Sequence, residues 1–297
     1  MNSYMVFDIG GTFIKYAVMN ERGLKLEGGK IPTPQEGLES FLETITEITN
    51  EYRQGFEIEG IAISSPGAVN VINGYIGGSS AIPYIHGISL TELIKERTGL
   101  DVSIENDANC AALAEGWIGA AKEIDYYICI VIGTGIGGSI VMNHTVLRGA
   151  TLQGGEFGYM IMGDPLRNPL KSTWSLVAST NALAKEAEHK KSLENGTLNG
   201  EKVFRMAEEG DPIAKECITL FYKRLAAGIY NIKYALDPEK ILIGGGISKR
   251  PDVIEGINNE LKLLKNEIST PDISVEPCQF DNDANLIGAL HHFLTRK

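Results

Sequence analysis

The chain has 297 residues, 43% of them hydrophobic and 22% charged, and its formal net charge is −11. That length suits one large or two medium domains with a full core, and the ordinary composition excludes a disordered chain. The acidic balance repels nucleic-acid phosphates and acidic lipids, so neither nucleic acid nor a membrane is an expected partner.

Residues 1–4 lack a basic and apolar leader and run straight into a strand, so no signal peptide is expected. No apolar stretch is long enough to span a bilayer. Residues 4–8 form a short apolar run, broken by Gly10-Gly11 and resumed over 13–19; a turn at 20–23 leads to a third strand near 24–31. Leu38, Phe41, Leu42, Ile45 and Ile48 then recur at helical spacing. Residues 58–63 read as a buried strand ending in Ser64-Ser65-Pro66-Gly67. Ser89 is the candidate N-cap of a helix through Arg97 that Gly99 stops. A strand at 102–105 enters a helix over 106–117 that opens on Asn106-Asp107.

The pattern then starts again. An apolar run at 126–132 meets a glycine cluster at 133–138 and resumes over 140–146, which predicts two related α/β halves. The longest helix is predicted over 212–236, with Ile213, Cys217, Phe221, Leu225, Ile229 and Ile232 on one stripe. Residues 240–243 read as a strand ending in Gly244-Gly245-Gly246. A helix follows Pro251, a short strand covers 273–275, and a last helix begins at Asp283. The predicted domains are residues 1–117 with the C-terminal helix 283–297, and residues 118–282. Cys110, Cys129, Cys217 and Cys278 are widely spaced without a CxxC pair, so neither a disulfide framework nor a zinc cluster is indicated, and a cytoplasmic protein is expected.

Three glycine-rich turns follow apolar strands, at 8–12, 133–138 and 244–246. Glycine lets backbone N–H groups approach phosphate oxygens without a side chain in the way. One such loop is as often a plain turn, whereas three at strand ends point to a nucleotide site. No G-x-x-x-x-G-K-[ST] run is present. Gly133, Gly135 and Gly138 match G-x-G-x-x-G formally, but the strand-like Ser139-Ile140-Val141-Met142 follows where a dinucleotide fingerprint needs a helix. Asp8 is either a turn-forming residue or a carboxylate for a hydrated Mg²⁺ beside nucleotide phosphates. Thr12 and Thr134 are placed to donate hydroxyls to phosphates or to local turns, and Lys15 to reach a phosphate or to stay solvated.

Asp107 lies in Glu105-Asn106-Asp107-Ala108-Asn109. An Asp at a helix start is commonly a cap; the competing role is a general base that takes a proton from a substrate hydroxyl. Asn106 offers both a donor and an acceptor, as sugar hydroxyls require, and Glu156 of Gly154-Gly155-Glu156-Phe157-Gly158-Tyr159 suits two neighbouring hydroxyls. Spacing alone leaves these alternatives open.

Asp8-Ile9-Gly10-Gly11-Thr12, Ser65-Pro66-Gly67, Glu105-Asn106-Asp107-Ala108-Asn109, Ile132-Gly133-Thr134-Gly135-Ile136-Gly137-Gly138 and Gly155-Glu156-Phe157-Gly158 occur in this order. Together they resemble the ROK family of sugar kinases and repressors, in the actin/hexokinase superfamily, over essentially the whole chain. The resemblance implies an α/β fold of two actin-like (ribonuclease H-like) domains around a central cleft, with ATP and Mg²⁺ as cofactors. It implies Asp107 as catalytic base and Gly67, Asn106, Asp107, Glu156 and Tyr159 as the sugar side. It implies Asp8, Gly10, Gly11, Thr12, Gly133, Thr134 and Gly135 as the phosphate side, with Asp8 holding Mg²⁺ through water, and Gly245 and Gly246 at the adenosine site.

The chain departs from the family pattern in two places. Many members carry a His three residues after the motif Glu, where this chain has Tyr159. Many also bind a structural zinc through a cysteine cluster followed by a second sugar-binding Glu. Residues 162–181 contain no cysteine, and Ser175 stands in the place of that Glu. No structural zinc is therefore expected. Loss of both polar groups near the sugar's O1–O2 edge suits a substrate without a free O1, since a buried acidic group lacking a hydroxyl partner is costly. The run 155–160 and the missing zinc segment also resemble the β-glucoside kinases of the family, which implies phosphorylation of the 6-hydroxyl of a non-reducing glucose, as in cellobiose. The alternatives are a glucokinase or another hexose or N-acetylhexosamine kinase and, in another class, a non-catalytic sugar sensor or a repressor. A repressor needs a helix-turn-helix module, for which the residues before the first strand leave no room. The helices of the second half point to a homodimer.

Overall fold

A computed structural model describes residues 2–163, 168, 171–264, 272–281 and 283–296. The chain divides into two units, Met1–Lys122 with Arg148–Gly154 and Asn282–Lys297, and Glu123–Leu147 with Gly155–Asp281. Residues 118–122 and 148–154 thus fall with the first unit. For the second stretch the reason is visible at its base, where the Arg148 guanidinium binds the Glu105 carboxylate.

The first unit begins with β1 (Ser3–Ile9), β2 (Phe13–Asn20) and β3 (Lys25–Pro32), followed by α1 (Leu38–Tyr52) and β4 (Ile58–Ser65). A small hairpin, β5 (Ala68–Asn70) and β6 (Tyr75–Gly77), precedes α2 (Leu90–Thr98), β7 (Asp101–Asn106) and α3 (Asp107–Ile118). The sheet order is β3-β2-β1-β4-β7. β1 is antiparallel to β2 and parallel to β4, and β4 is parallel to β7. β1 is buried along its whole length. That is why it reads as a continuous apolar run rather than an alternating one. α1 buries Phe41, Leu42, Ile45 and Ile48 on the stripe that the spacing predicts. Gly99 ends α2 in the left-handed region at φ 69°, where glycine carries no Cβ penalty. The Ser89 side chain does not cap α2; its hydroxyl donates to Asn73 O instead.

The second unit contains β8 (Tyr126–Ile132), β9 (Ile136–Met142), β10 (Thr145–Val146), α4 (Trp174–Ala178), α5 (Thr180–Lys190), α6 (Gly200–Glu208), α7 (Pro212–Leu236), β11 (Lys240–Gly244), α8 (Pro251–Leu264) and β12 (Glu276–Pro277). Its sheet runs β10-β9-β8-β11-β12, antiparallel over the first three strands and parallel over the last three. Both units therefore carry the ribonuclease H-like strand order expected of two related halves. In each, a short glycine turn closes the antiparallel hairpin, whereas the parallel neighbours are reached by long helical connections.

Two strands differ from the sequence expectation. The predicted strand at 140–146 is split into β9 and β10 by Asn143 and His144, both at positive φ. β9 also starts inside the glycine cluster, where Ile136, Gly137 and Gly138 pair with Ile132, Val131 and Ile130 of β8, and a Cβ on Gly138 would lie 2.5 Å from the Phe157 ring. The predicted strand at 273–275 lies instead at 276–277. The Val275 N–H and C=O bond the Asn258 side chain, at 2.8 and 3.0 Å, in place of a ladder.

Helix α9 (Ala284–Thr295) belongs to the first unit and lies on α3, with Trp117 stacked on His291 at 5.0 Å between ring centroids. In the second unit α7 has the bounds its apolar stripe predicts and buries Cys217, Phe221, Leu225, Ile229 and Ile232. Trp174 is fully buried against Gly228 of α7 and donates its ring N–H to Arg224 O at 3.0 Å. Among the described residues no helix is long and apolar enough to cross a membrane.

The α3–α9 contact is close enough to test. A Cβ on Gly288 would sit 1.7 Å from Cys110 O, so Gly288→Ala must push the helices apart. The expected cost is about 1–3 kcal/mol or more, read as a lower urea midpoint. Gly55→Ala, whose Cβ meets no described atom within 4 Å, should stay within about 0.5 kcal/mol of the parent.

Candidate active site

In the first unit the three parallel strands end side by side. The register pairs Asp8 with Ser64, Ser64 with Glu105 and Ser65 with Asn106. Residues spread over a hundred positions therefore meet at one sheet edge. Asp8 is buried, and its Oδ1 accepts from Ser64 Oγ at 3.0 Å and from Asn285 Nδ2 at 2.9 Å. Lys15 Nζ lies 3.6 Å from Oδ2. Beside it the β1–β2 turn is closed by Gly10 N donating to Phe13 O, and Thr33 holds Gly10 O and Thr12 O through its hydroxyl and its amide. Thr12 is exposed at the tip of that turn.

Glu105 has no exposed side-chain surface. Its Oε1 accepts from Asn106 N at 2.8 Å and Asn109 Nδ2 at 3.0 Å. Its Oε2 accepts from Arg148 Nε at 3.1 Å and from Arg148 Nη2. His292 Nδ1 stands 3.9 Å from the same oxygen, and burial pushes the His292 pKa down against the pull of the Glu105 charge.

This bracing decides how α3 begins. Asn106 is the N-cap, its Oδ1 accepting from Asn109 N at 3.2 Å, while its Nδ2 donates to Gly67 O at 3.0 Å. Asp107 is the first helical residue rather than the cap; it is half-buried, and its Oδ1 accepts from Ala108 N at 2.8 Å. Gly67 has φ 104°, and a Cβ on it would crowd Ile76 at 2.8 Å and His86 at 3.0 Å. His86 Nδ1 faces Gly77 O at 3.2 Å, so that nitrogen donates, and Nε2 is hydrogen-bonded to Ser80 Oγ at 2.7 Å.

In the second unit Gly133 N donates to Gly135 O at 2.9 Å, which folds the second glycine loop tightly. Gly133 O accepts from both the amide and the hydroxyl of Thr180, at 3.0 and 2.7 Å. A Cβ placed on Gly133 or on Gly246 would meet no described atom within 4 Å, so both backbones face open space. Gly245 has φ 88°, and its Cβ would fall 2.3 Å from Ile132 O. The third glycine loop thus lies against the strand end that carries the second. Glycine backbone beside open space, with no side chain in the way, is what the close approach of a phosphate group requires.

Glu156 is half-buried, and burial raises its pKa above the ordinary carboxylate range. It precedes a short 3-10 turn over Phe157–Tyr159, in which Phe157 is buried and Tyr159 is 73% exposed. Ser175 Oγ accepts from Ile136 N at 2.8 Å and donates to Ile136 O at 3.2 Å. Among the described residues no group of three or more His, Cys, Asp or Glu is placed to hold a metal ion. Of the cysteine-free stretch 162–181, residues 164–167 and 169–170 lie outside the described residues.

Sequence reasoning missed Ser64, Asn285, His86 and Arg148. Ser64 was legible as a polar residue ending a buried strand. Asn285 was not, because it lies 277 positions from the carboxylate it holds.

Glu156 supplies a stability test with a definite sign. Its folded pKa exceeds its unfolded value, so its contribution to stability is present below the ordinary carboxylate pKa and is lost as pH rises through the folded pKa. Glu156→Gln removes that loss. The variant should show a higher urea midpoint than the parent near neutrality and an equal one near about pH 4. Parallel pH profiles for the two proteins would contradict this.

The ROK family sequence profile matches residues 4–296. The chain is 35% identical over 291 residues to a beta-glucoside kinase of Listeria innocua, covering 97% of this chain and 96% of that protein. The crystal structure of a ROK family protein from Streptococcus pneumoniae in complex with sucrose matches with a TM-score of 0.90 and 38% identity over 98% of both chains. A ROK family glucokinase from Streptomyces griseus, in complex with glucose and AMPPNP, matches at a TM-score of 0.80 and 27% identity, over 97% of this chain and 98% of its own. The ordered motifs, the repeated sheet and these matches along nearly the whole length agree, and the chain belongs to the ROK family.

Proposed function

We propose that this ATP-dependent sugar kinase transfers the γ-phosphate of ATP to the 6-hydroxyl of a glucose unit, the non-reducing glucose of a β-glucoside such as cellobiose. The observation that carries the mechanism is the start of α3. Asn106 takes the capping role, and the Asp107 carboxylate stands half-buried at the helix N-terminus. A carboxylate in that position takes the proton of a sugar hydroxyl as its oxygen attacks phosphorus.

The other residues bind and orient. Asn106 and Glu156 hold sugar hydroxyls, and Gly67 and Tyr159 are assigned to the sugar as well. Gly11 and Thr12 of the first glycine turn, and Thr134 and Gly135 of the second, offer N–H and O–H donors to phosphate oxygens, while Gly10 and Gly133, whose own N–H groups close those turns, let the backbone come close to the phosphates. Such donors act best when set in place before charge develops. Gly245 and Gly246 receive the adenosine. Asp8, locked by Ser64 and Asn285, suits a Mg²⁺ held through water. ATP with Mg²⁺ supplies the phosphoryl group and neutralises its oxygens. The acidic net charge supports an enzyme without nucleic-acid partners, and the same proposal takes it as a cytoplasmic homodimer.

Three observations support a β-glucoside over free glucose. The Listeria relative is a beta-glucoside kinase, the Streptococcus structure holds sucrose, in which the glucose O1 is blocked, and Ser175 and Tyr159 stand where many family members carry a Glu and a His. Coupled assays of ATP consumption with cellobiose, gentiobiose, glucose, mannose, fructose and N-acetylglucosamine should give the highest kcat/KM for the two β-glucosides. Turnover of glucose with none of cellobiose would sink the substrate assignment. Asp107→Asn should lower turnover by roughly 10²–10⁴ while sugar binding persists, and an unchanged kcat would remove Asp107 as base.

A further inference from the structure

The second glycine loop is held at both ends by two consecutive helices, through Ser175 of α4 and Thr180 at the start of α5. Thr180 gives two hydrogen bonds to Gly133 O at the front of the loop. Ser175 closes the back: its oxygen accepts the Ile136 N–H, and its single hydroxyl proton goes to Ile136 O. The amides of Thr134 and Gly135 lie between these anchors. Ser175 Oγ also touches a third element. A Cβ on Gly158 would fall 2.3 Å from that oxygen and 2.1 Å from Ile136 O, so the turn that follows Glu156 packs flat on the same hydroxyl.

We propose that Ser175 is a positioning residue for the phosphate loop, and that it sets the spacing between that loop and the turn following Glu156, rather than contacting the sugar. This rests on the assignment of the Gly133–Gly135 loop to ATP phosphates. A hydroxyl whose proton is committed to a backbone carbonyl does not replace an acidic sugar contact. It does hold one end of a loop that Gly133 and Gly135 would otherwise leave free to rearrange, and with it the amides of Thr134 and Gly135. Donors fixed in place before the reaction stabilise the transferring phosphoryl group, and a displacement of about 1 Å can cost up to roughly 10²-fold in rate.

The test uses the full chain and two variants. Ser175→Ala should raise KM for ATP and lower kcat, with kcat/KM for ATP falling by up to about tenfold, the value of one net hydrogen bond. The dissociation constant for sugar measured without nucleotide should stay within about twofold, because uniform binding of sugar is untouched. Thr180→Val should show the same loss on the ATP side, and Thr180→Ser, which keeps the donor, should retain parent kinetics. Amide hydrogen exchange should quicken over residues 133–138 in Ser175→Ala and stay unchanged in β11. ATP kinetics equal to the parent's in both Ser175→Ala and Thr180→Val, or a loss that falls on sugar dissociation, overturns the inference. If the parent phosphorylates no sugar, the kinase assignment fails by itself. Exchange then decides the anchor alone: faster exchange confined to 133–138 supports it, and unchanged exchange overturns it.

Discussion

Glu105 is a carboxylate withdrawn entirely from water, and such a group must be met by donors and a countercharge or it destabilises the fold. The chain meets that requirement with two amide donors from its own helix start and the guanidinium of Arg148. The cost of leaving any of these unmade is what holds the geometry. Satisfying Glu105 fixes Asn106 and Asn109, and fixing Asn106 both caps α3 and reaches Gly67. Asp107 then stands on a helix start that a buried charge network fixes from behind, and its Oδ1 adds a bond from Ala108 N. The same requirement explains why the stretch Arg148–Gly154 lies with the first unit although the strands before it belong to the second.

The repeated sheet places chemistry at equivalent points but uses it differently. In each half a glycine turn follows the first strand, and a parallel strand ends beside it. In the first unit that neighbouring strand end is polar, and Ser64 locks Asp8. In the second it is a run of glycines, and Gly245 lies against Ile132 O with no room for a side chain. One half thus presents a fixed carboxylate, and the other presents bare backbone. Under the proposed function, a carboxylate suits the metal that accompanies a phosphate, and exposed glycine backbone suits the phosphate itself.

Much of the fold was legible because its periodicities are strong. The long helix α7, the hairpin β1–β2 and the helix α1 follow directly from apolar spacing and turn residues. The misses share a cause. The strand expected at 273–275 yielded its hydrogen bonds to a distant Asn258, and β9 began within glycines that strand propensity disfavours. In both places a partner outside the segment itself outweighed the local preference.

By itself the sequence determined the repeat of two α/β halves, the three glycine turns and the set of polar residues that face them, since these depend on local pattern and on residue type. Asp107 was legible as a carboxylate at a helix start, but its release from the capping role was not. Only the tertiary structure decided that Asn106 is the cap, that Arg148 balances Glu105, that Asn285 holds Asp8, and that Ser175 spends its hydroxyl on Ile136. The physical reason is the same in each case. A hydrogen bond is specified by both of its partners, and here each partner is brought in by packing between elements that no spacing along the chain relates.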